Sequence, residues 1–381
     1  MARNLSPRPI RRVVVKIGSA ILAPNGVLDP DALGGIATDI AAWLGTDTRP
    51  GARQCIIVSS GAVASGFRPL GLKSAPKLIS LKQAAAAVGQ PLLMRSWSQA
   101  FAATTLGCHT AQVLLTSDDI DDRTRFLNAR HTLERLLEAG VVPIINENDS
   151  VSYAEIKLGD NDRLSSLVAN LVGADALIIL SSVPGVLSRG KAGSRSTVVP
   201  IIDSLDLGLS FVTADKSTTG VGGMATKVRA ACAAAAEGVA VVIADGGSRG
   251  VIGRVLAGDD IGTLFPAAPR ALASRKRWIG GSARPKGTIV VDAGAKLALL
   301  TRGASLLPSG ITVVDGRFDY GALVDISGPD GITFARGLAS YSSTDLTSIR
   351  GKKASQIEQT LGYRYADEAV HRDDLVLLVS S

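Results

Sequence analysis

Six short, β-branched runs in the first 245 residues constrain this chain more than any other feature. They are Val13 to Ile17, Cys55 to Ser59, Ala111 to Leu115, Val142 to Ile145, Ala176 to Leu180 and Val239 to Ala244. Each is apolar at odd and even positions alike, the pattern of a parallel strand covered on both faces. Helical segments lie between them. Asp29 and Pro30 supply an N-cap and a first-turn proline for a helix over Asp31 to Trp43, Gly140 stops one over Thr124 to Ala139, and Gly238 stops one over Met224 to Glu237. Strand, helix and strand repeated this often predict an α/β fold, an open three-layer α/β/α sandwich. Ligands of such sheets sit beyond the carboxyl ends of the strands, so the residues after each strand are the ones to search.

Beyond Phe265 the pattern changes to short β-rich runs, Thr288 to Asp292, Ile311 to Asp315, Ala322 to Ser327 and Ile332 to Leu338, separated by turn signals such as Asp315-Gly316 and Gly328-Pro329-Asp330-Gly331. At ~150 residues per domain, 381 residues suit this division. It predicts an α/β domain over 1–265, a linker over 266–285 and a small β-rich domain over 286–381. With 46% hydrophobic residues the chain can bury a large core, which excludes a disordered protein. No apolar run reaches the ~18 residues of a spanning helix. The basic N-terminus (Arg3, Arg8, Arg11, Arg12) leads into a short run interrupted by Lys16, so no signal-peptide core follows and a cytoplasmic location without membrane contact is expected. Cys55, Cys108 and Cys232 are never in CxxC spacing, which predicts neither a disulfide framework nor a thiolate metal cluster. The net charge of +7 divides into +3 up to Phe265 and +4 after it. Arg270, Arg275, Lys276, Arg277, Arg284 and Lys286 form a run without acids that suits either an anionic partner such as nucleic acid or a solvated linker.

Chemistry concentrates where the strands end. Lys16 closes the first strand and Gly18-Ser19 turn after it; backbone N–H groups in a small turn beside a lysine can meet a phosphate, although backbone freedom alone also explains the glycine. The second strand runs into Ser59 to Gly66, where Ser60 and Gly61 can offer hydroxyl and N–H groups to a carboxylate or phosphate. Close helix packing explains those glycines equally well, but not the paired serines. After the fourth strand, Asn146, Glu147, Asn148 and Asp149, then Asp160, Asn161 and Asp162, gather carboxylates and amides of the kind that bind an ammonium group, orient lysines or hold Mg²⁺. Helix capping by Asp160 or Asp162 accounts for only one of these acids. Finally, Thr218 to Lys227 places Gly222 and Gly223 at a helix start with Lys227 in its first turn, a cradle for nucleotide phosphates. There is no GxxxxGK[ST], and the G-x-G-x-x-A of Gly220, Gly222 and Ala225 follows polar residues rather than a strand, so neither a P-loop nor a Rossmann site is expected. The three histidines are scattered, without HExxH or GxSxG. Two lysines, glycine turns and a carboxylate cluster suit phosphoryl transfer by positioning and charge neutralisation.

The segments VVVKIGSA, VSSGAVASG, FLNARHTLERLL, VVPIINENDSV, EIKLGDND, GVGGMATK and SRKRWIG resemble, in order and spacing, the glutamate 5-kinases of the amino acid kinase fold. TRGASLLPSGITVVDGRF and AVHRDDLVLL resemble the PUA domain that many of them carry. The resemblance implies transfer of the γ-phosphoryl group of ATP to the side chain of L-glutamate, the first step of proline biosynthesis. It implies that Lys16 and Lys227 neutralise phosphate charge, that Asp162 organises them, and that Ser60, Gly61, Asp149 and Asn161 hold glutamate. Gly18, Ser181, Ser182 and the stretch Val221, Gly222, Gly223, Met224, Ala225 and Thr226 would meet ATP with its Mg²⁺, together with both lysines. After the fifth strand the family commonly shows Thr-Asp, then Gly-Leu-Tyr leading to Asp-Pro; here Ser181-Ser182 and Val183 to Leu187 stand instead. The family further implies a homo-oligomer, a dimer or tetramer, and proline as feedback inhibitor. Two other readings remain: a sister kinase acting on acetylglutamate or aspartate, and an RNA-binding protein acting through the PUA-like domain.

Overall fold

In the computed structural model, which describes residues 3, 5, 9–46, 52–151, 160–188, 196–212, 223–268 and 285–378, all six apolar runs are strands. They are β1 (Arg12–Ile17), β2 (Gln54–Ser59), β3 (Thr110–Leu115), β4 (Val142–Glu147), β5 (Ala176–Ser181) and β6 (Ala240–Asp245), followed by a short β7 (Thr263–Phe265). The sheet order is β3-β4-β2-β1-β5-β6-β7, parallel throughout except that β7 runs antiparallel to β6. The described helices of this unit are α1 (Ser19–Leu22), α2 (Pro30–Leu44), α3 (Ala62–Gly66), α4 (Ile79–Ala102), α5 (Ser117–Asp121), α6 (Arg123–Glu138), α7 (Asp160–Leu171), α8 (Leu205–Val212), α9 (Met224–Ala236) and α10 (Val251–Leu256). Helix α2 starts as its sequence demands, with the Asp29 carboxylate accepting from the N–H groups of Asp31 and Ala32.

The alternation of β1 decides which layer each side chain joins. Val13, Val15 and Ile17 pack with Ile36 and Ile40 of α2, Leu93, Trp97 and Phe101 of α4, and Ile252 of α10. Val14 packs on the other face with Leu133 of α6, Val168 of α7, and Val228 and Ala231 of α9. At roughly 1.5–3 kcal/mol for each fully buried large aliphatic or aromatic side chain, these two clusters hold the three layers together. Lys16, two residues after Val14, is thereby directed to the face of α7 and α9.

Three features depart from the expectations. The Ala111 to Leu115 run is not covered on both faces: β3 is the sheet edge, and Gln112 is exposed there. Helix α4, 24 residues long, was not signalled, because its alanine-rich sequence with Gly89 and an internal Pro91 carries little amphipathic pattern. Strand β7 is too short and too close to a proline to stand out.

The chain divides into two compact units, Met1–Arg270 and Ala271–Ser381. In the second, β8 (Gly287–Val291), β9 (Ile311–Gly316), β10 (Leu323–Ser327), β11 (Thr333–Leu338) and β12 (Leu375–Leu377) form a sheet of order β12-β11-β10-β8-β9. Only β8 and β10 pair in parallel. Ile289, Val324, Ile326, Phe334 and Tyr341 fill its core. Two of its helices, Ala293–Arg302 and Ser343–Ile349, lie outside the β-rich runs, where the sequence predicts none. Of the expected linker, residues 269–284 lie outside the described residues. Among the described residues no helix is long and apolar enough to cross a membrane.

Candidate active site

The carboxyl ends of β1, β2, β4 and β5 lie side by side at one edge of the sheet, and β1 is where the chain order reverses. Two groups of side chains are assembled there. The first joins three distant segments. Asp162, in the first turn of α7, is fully buried; its Oδ1 stands 2.5 Å from Lys16 Nζ and its Oδ2 3.1 Å from Lys227 Nζ. Thr226 Oγ1 donates to the same Oδ2 at 2.9 Å. Asp162 is therefore not an N-cap but the anchor of two lysines, and neither lysine is a surface residue: Lys16 is 5% exposed and Lys227 9%.

Electrostatics follows from the count of charges. Burial pushes the Asp162 carboxyl up, but the adjacent Lys16 and Lys227 ammonium groups outweigh it and hold the carboxyl below its usual range. Burial lowers the Lys16 pKa; Asp162 opposes this, while the like charge of Lys227 adds to it. Two ammonium groups converging on one buried carboxylate are suited to meet the oxygens of an anion, and Lys16 is the more buried of the two. Gly18 lies over this cation, since a Cβ there would sit 3.8 Å from Lys16 Nζ. Its φ of −81° requires no glycine, so its place in the site rests on that closeness rather than on backbone freedom. Gly223 is the exposed N-cap of α9, and Met224, Ala225 and Thr226 form the first turn, where the helix dipole also favours an anion. Val221 and Gly222 lie outside the described residues.

The second group is built from amides and hydroxyls. Asn161 Nδ2 donates to Ser60 Oγ at 2.8 Å and to Asn146 Oδ1 at 3.0 Å, while Asn161 Oδ1 is buried without a hydrogen-bond partner among the described residues. An orphaned buried acceptor is costly, and it marks the place where a donor belongs. Ser60, having accepted from Asn161, keeps its hydroxyl proton to donate. Gly61 caps α3 with φ +115°, a left-handed conformation that only glycine adopts readily, so backbone geometry requires this residue. Asp149 lies in the turn after β4, where Asn148 N–H donates to Leu115 O and Ser150 Oγ to Asn148 Oδ1. Asn146 belongs to the cluster of acids and amides after β4, whereas Gln90, which bonds it, shows in the sequence only as a lone amide in the alanine-rich Ala84 to Leu93 stretch.

Ser181 ends β5, buried, and its carbonyl accepts from Gly246 N–H at 2.9 Å; Ser182 follows it, exposed. The residues replacing the common family pattern after them are fixed by packing. Gly185 has φ +157° and no room for a Cβ beside Thr263, and Val186 N–H donates to Thr263 Oγ1.

A lysine-aspartate-lysine centre beside an amide and hydroxyl pocket, at the carboxyl edge of a parallel sheet, is an arrangement for moving a phosphoryl group onto a small polar acceptor. The family model described as the amino acid kinase family matches residues 11–245, and that of the PUA domain matches residues 287–361. The glutamate 5-kinase of Trichlorobacter lovleyi is 49% identical over 375 residues, covering 98% of both chains. That of a Geobacter species is 46% identical, covering 97% of this chain and 98% of the relative. The Thermus thermophilus enzyme of the same name is 44% identical, covering 96% of this chain and 97% of its own. The chain belongs to the amino acid kinase family and, within it, to the glutamate 5-kinases.

Proposed function

We infer that this chain transfers the γ-phosphoryl group of ATP to the side-chain carboxylate of L-glutamate, giving L-glutamyl 5-phosphate for proline biosynthesis. The observation that carries the reading is the buried Lys16-Asp162-Lys227 trio, two ammonium groups held on one carboxylate. The nucleophile needs no general base: a glutamate side chain, with a reference pKa of ~4.3, is ionised at neutral pH. Catalysis then consists of positioning two anions against each other and neutralising the charge they share. Lys16 and Lys227 take the oxygens of the migrating and leaving phosphates, and Asp162 keeps both ammonium groups aimed. The start of α9, Gly18, Ser181 and Ser182 face the nucleotide. Ser60, Gly61, Asp149 and Asn161 hold the amino acid: a free acceptor on Asn161 and a free donor on Ser60 match the ammonium and carboxylate of a zwitterion.

Among the described residues no group of three or more His, Cys, Asp or Glu side chains could hold a metal ion. Both Asp162 oxygens are already engaged. This donor set suits a Mg²⁺ that arrives on the phosphates of ATP, where it would neutralise phosphate charge, as such ions commonly do. A cytoplasmic location, assembly into a dimer or tetramer and inhibition by proline belong to the same reading, supported by the likeness to bacterial biosynthetic enzymes. Acetylglutamate, aspartate and a primary RNA-binding role are not favoured, because relatives of 44–49% identity over nearly the whole chain are glutamate 5-kinases. ADP release measured with ATP and Mg²⁺ against glutamate, acetylglutamate and aspartate tests the reading. Turnover with glutamate alone supports it; preference for either other acceptor refutes it.

Three further results are expected. Asp149→Ala raises the glutamate KM with little change in the ATP KM, since a carboxylate meeting the substrate ammonium acts alike in ground and transition states; a large fall in kcat at unchanged glutamate KM would move Asp149 into the chemistry. A chain ending at Ala268 keeps its glutamate kinase activity, because every residue assigned a role precedes that point. Loss of turnover in a folded truncation would end the division of labour between the units. In a pH profile, the alkaline fall of kcat/KM for ATP, which reports the free enzyme, comes below the ordinary lysine range, as the lowered pKa of Lys16 requires. Because Asp162 raises that pKa, Asp162→Asn moves the alkaline limb to still lower pH, and a limb moving upward would contradict the assignment.

A further inference from the structure

Four side-chain amides form one hydrogen-bonded line from the sheet edge to the pocket. Gln112 Oε1, on β3, accepts from Gln90 Nε2 of α4 at 3.1 Å. Gln90 Oε1 accepts from Asn146 Nδ2 of β4 at 2.9 Å, and Asn146 Oδ1 accepts from Asn161 Nδ2 of α7 at 3.0 Å. An amide line can in principle run in either direction, and one contact decides it here. The backbone N–H of Glu147 donates to Asn146 Oδ1 at 2.9 Å, and a backbone N–H cannot accept. Asn146 Nδ2 must therefore face Gln90, and Asn161 must present Nδ2 to Asn146. The line ends on Asn161 Oδ1, the buried acceptor without a partner among the described residues. Gln90 is 7% exposed and Asn146 1%, so both amides are costly unless paired, and an apolar side chain at residue 90 would suit the alanine-rich helix better.

We propose that Gln90 is a positioning residue for the amino-acid acceptor: by fixing Asn146 it holds Asn161 with its carbonyl oxygen turned to the substrate ammonium. The proposal rests on the reading of this pocket as the glutamate site. Gln90 acts through Asn146 and Asn161, so its loss weakens recognition of the ammonium group and leaves the phosphate centre alone.

The test compares glutamate with glutarate, which has the same side-chain carboxylate but no ammonium, used as a competitive inhibitor of the full-length enzyme. In Gln90→Met, the glutamate KM rises about 10-fold, the effect of one buried hydrogen bond, while the glutarate Ki, the ATP KM and kcat stay close to wild type. Gln90→Glu keeps an acceptor for Asn146, and the exposed Gln112 can turn its own amide to donate, so the glutamate KM returns to within about 3-fold of wild type. A folded Gln90→Met enzyme in which the KM for glutamate and the Ki for glutarate rise together, or neither rises, overturns the proposal, as does failure of Gln90→Glu to rescue. Should Gln90→Met not fold, Gln112→Met at the exposed end of the line carries the test: the glutamate KM rises about 2- to 3-fold with an unchanged glutarate Ki, and equal effects on both refute it. Wild-type enzyme that turns over ATP with another acceptor would instead refute the glutamate reading itself, and the two failures are thereby distinguished.

Discussion

Lys16→Ala and Lys227→Ala are each expected to lower kcat by ~10² or more, the scale of losing one preorganised electrostatic donor, with far smaller changes in the glutamate KM. The two lysines stand on opposite sides of one buried carboxylate, reached from β1 and α9, so each can follow charge that develops on the transferring phosphoryl group. Asp162→Asn should match this kinetic defect by a different route: an amide keeps the size but no longer holds two ammonium groups by charge. The stability effects should differ in order. Either lysine variant leaves Asp162 paired with the other lysine, whereas Asp162→Asn leaves two like charges together in a buried place, a change of the kind that costs about 3–5 kcal/mol. Steady-state kinetics and thermal melts on the three variants check both statements. Well-folded variants with near-normal kcat would remove the trio from the mechanism.

The second large effect is expected at two glycines that carry no chemistry. Helices α3 and α4 cross backbone to backbone at Gly66 and Gly89: a Cβ on Gly66 would lie 1.8 Å from the Ala85 carbonyl oxygen, and one on Gly89 1.8 Å from that of Ala62. Neither obstacle is a side chain that could turn away. Gly66→Ala or Gly89→Ala must therefore push the helices apart, an overpacking that costs about 3 kcal/mol or more. For a domain of this size that corresponds to a fall in Tm of ~6–12 °C. Because Ser60 and Gly61 lead directly into α3, variants that fold should also show a raised glutamate KM with a less affected ATP KM. A melt within a degree of wild type would mean that the close crossing does not exist in solution.

Much of this was legible in the chain. Parallel strands buried on both faces leave nearly unbroken β-branched runs, so five of the six runs announced covered strands, and the helix over Pro30–Leu44 was marked by its own cap. The same signal misled at β3, where an edge position exposes Gln112 although the run reads as apolar, because edge and centre differ in neighbours rather than in local composition. Helix α4 was invisible for the converse reason: a helix whose alanines and Gly89 permit close approach on several sides has no polar stripe to reveal its period.

For the site, the linear order of residues already carries the chemical inventory: two lysines, a glycine turn after each of two strands, and the acidic and amide residues following β4. Residue types and their place after strands suffice for that, since strand ends in a parallel sheet converge on one edge. The partnerships come from the folded packing. Lys16 meets Lys227, more than two hundred residues away, because the two-residue period of β1 turns its side chain to the layer of α7 and α9 and because Asp162 is buried between them. The amide line from Gln112 to Asn161 likewise depends on four separate elements, and its direction depends on one backbone N–H at Glu147. Hydrogen-bond polarity across a core is a property of packed neighbours, and no local stretch of sequence carries it.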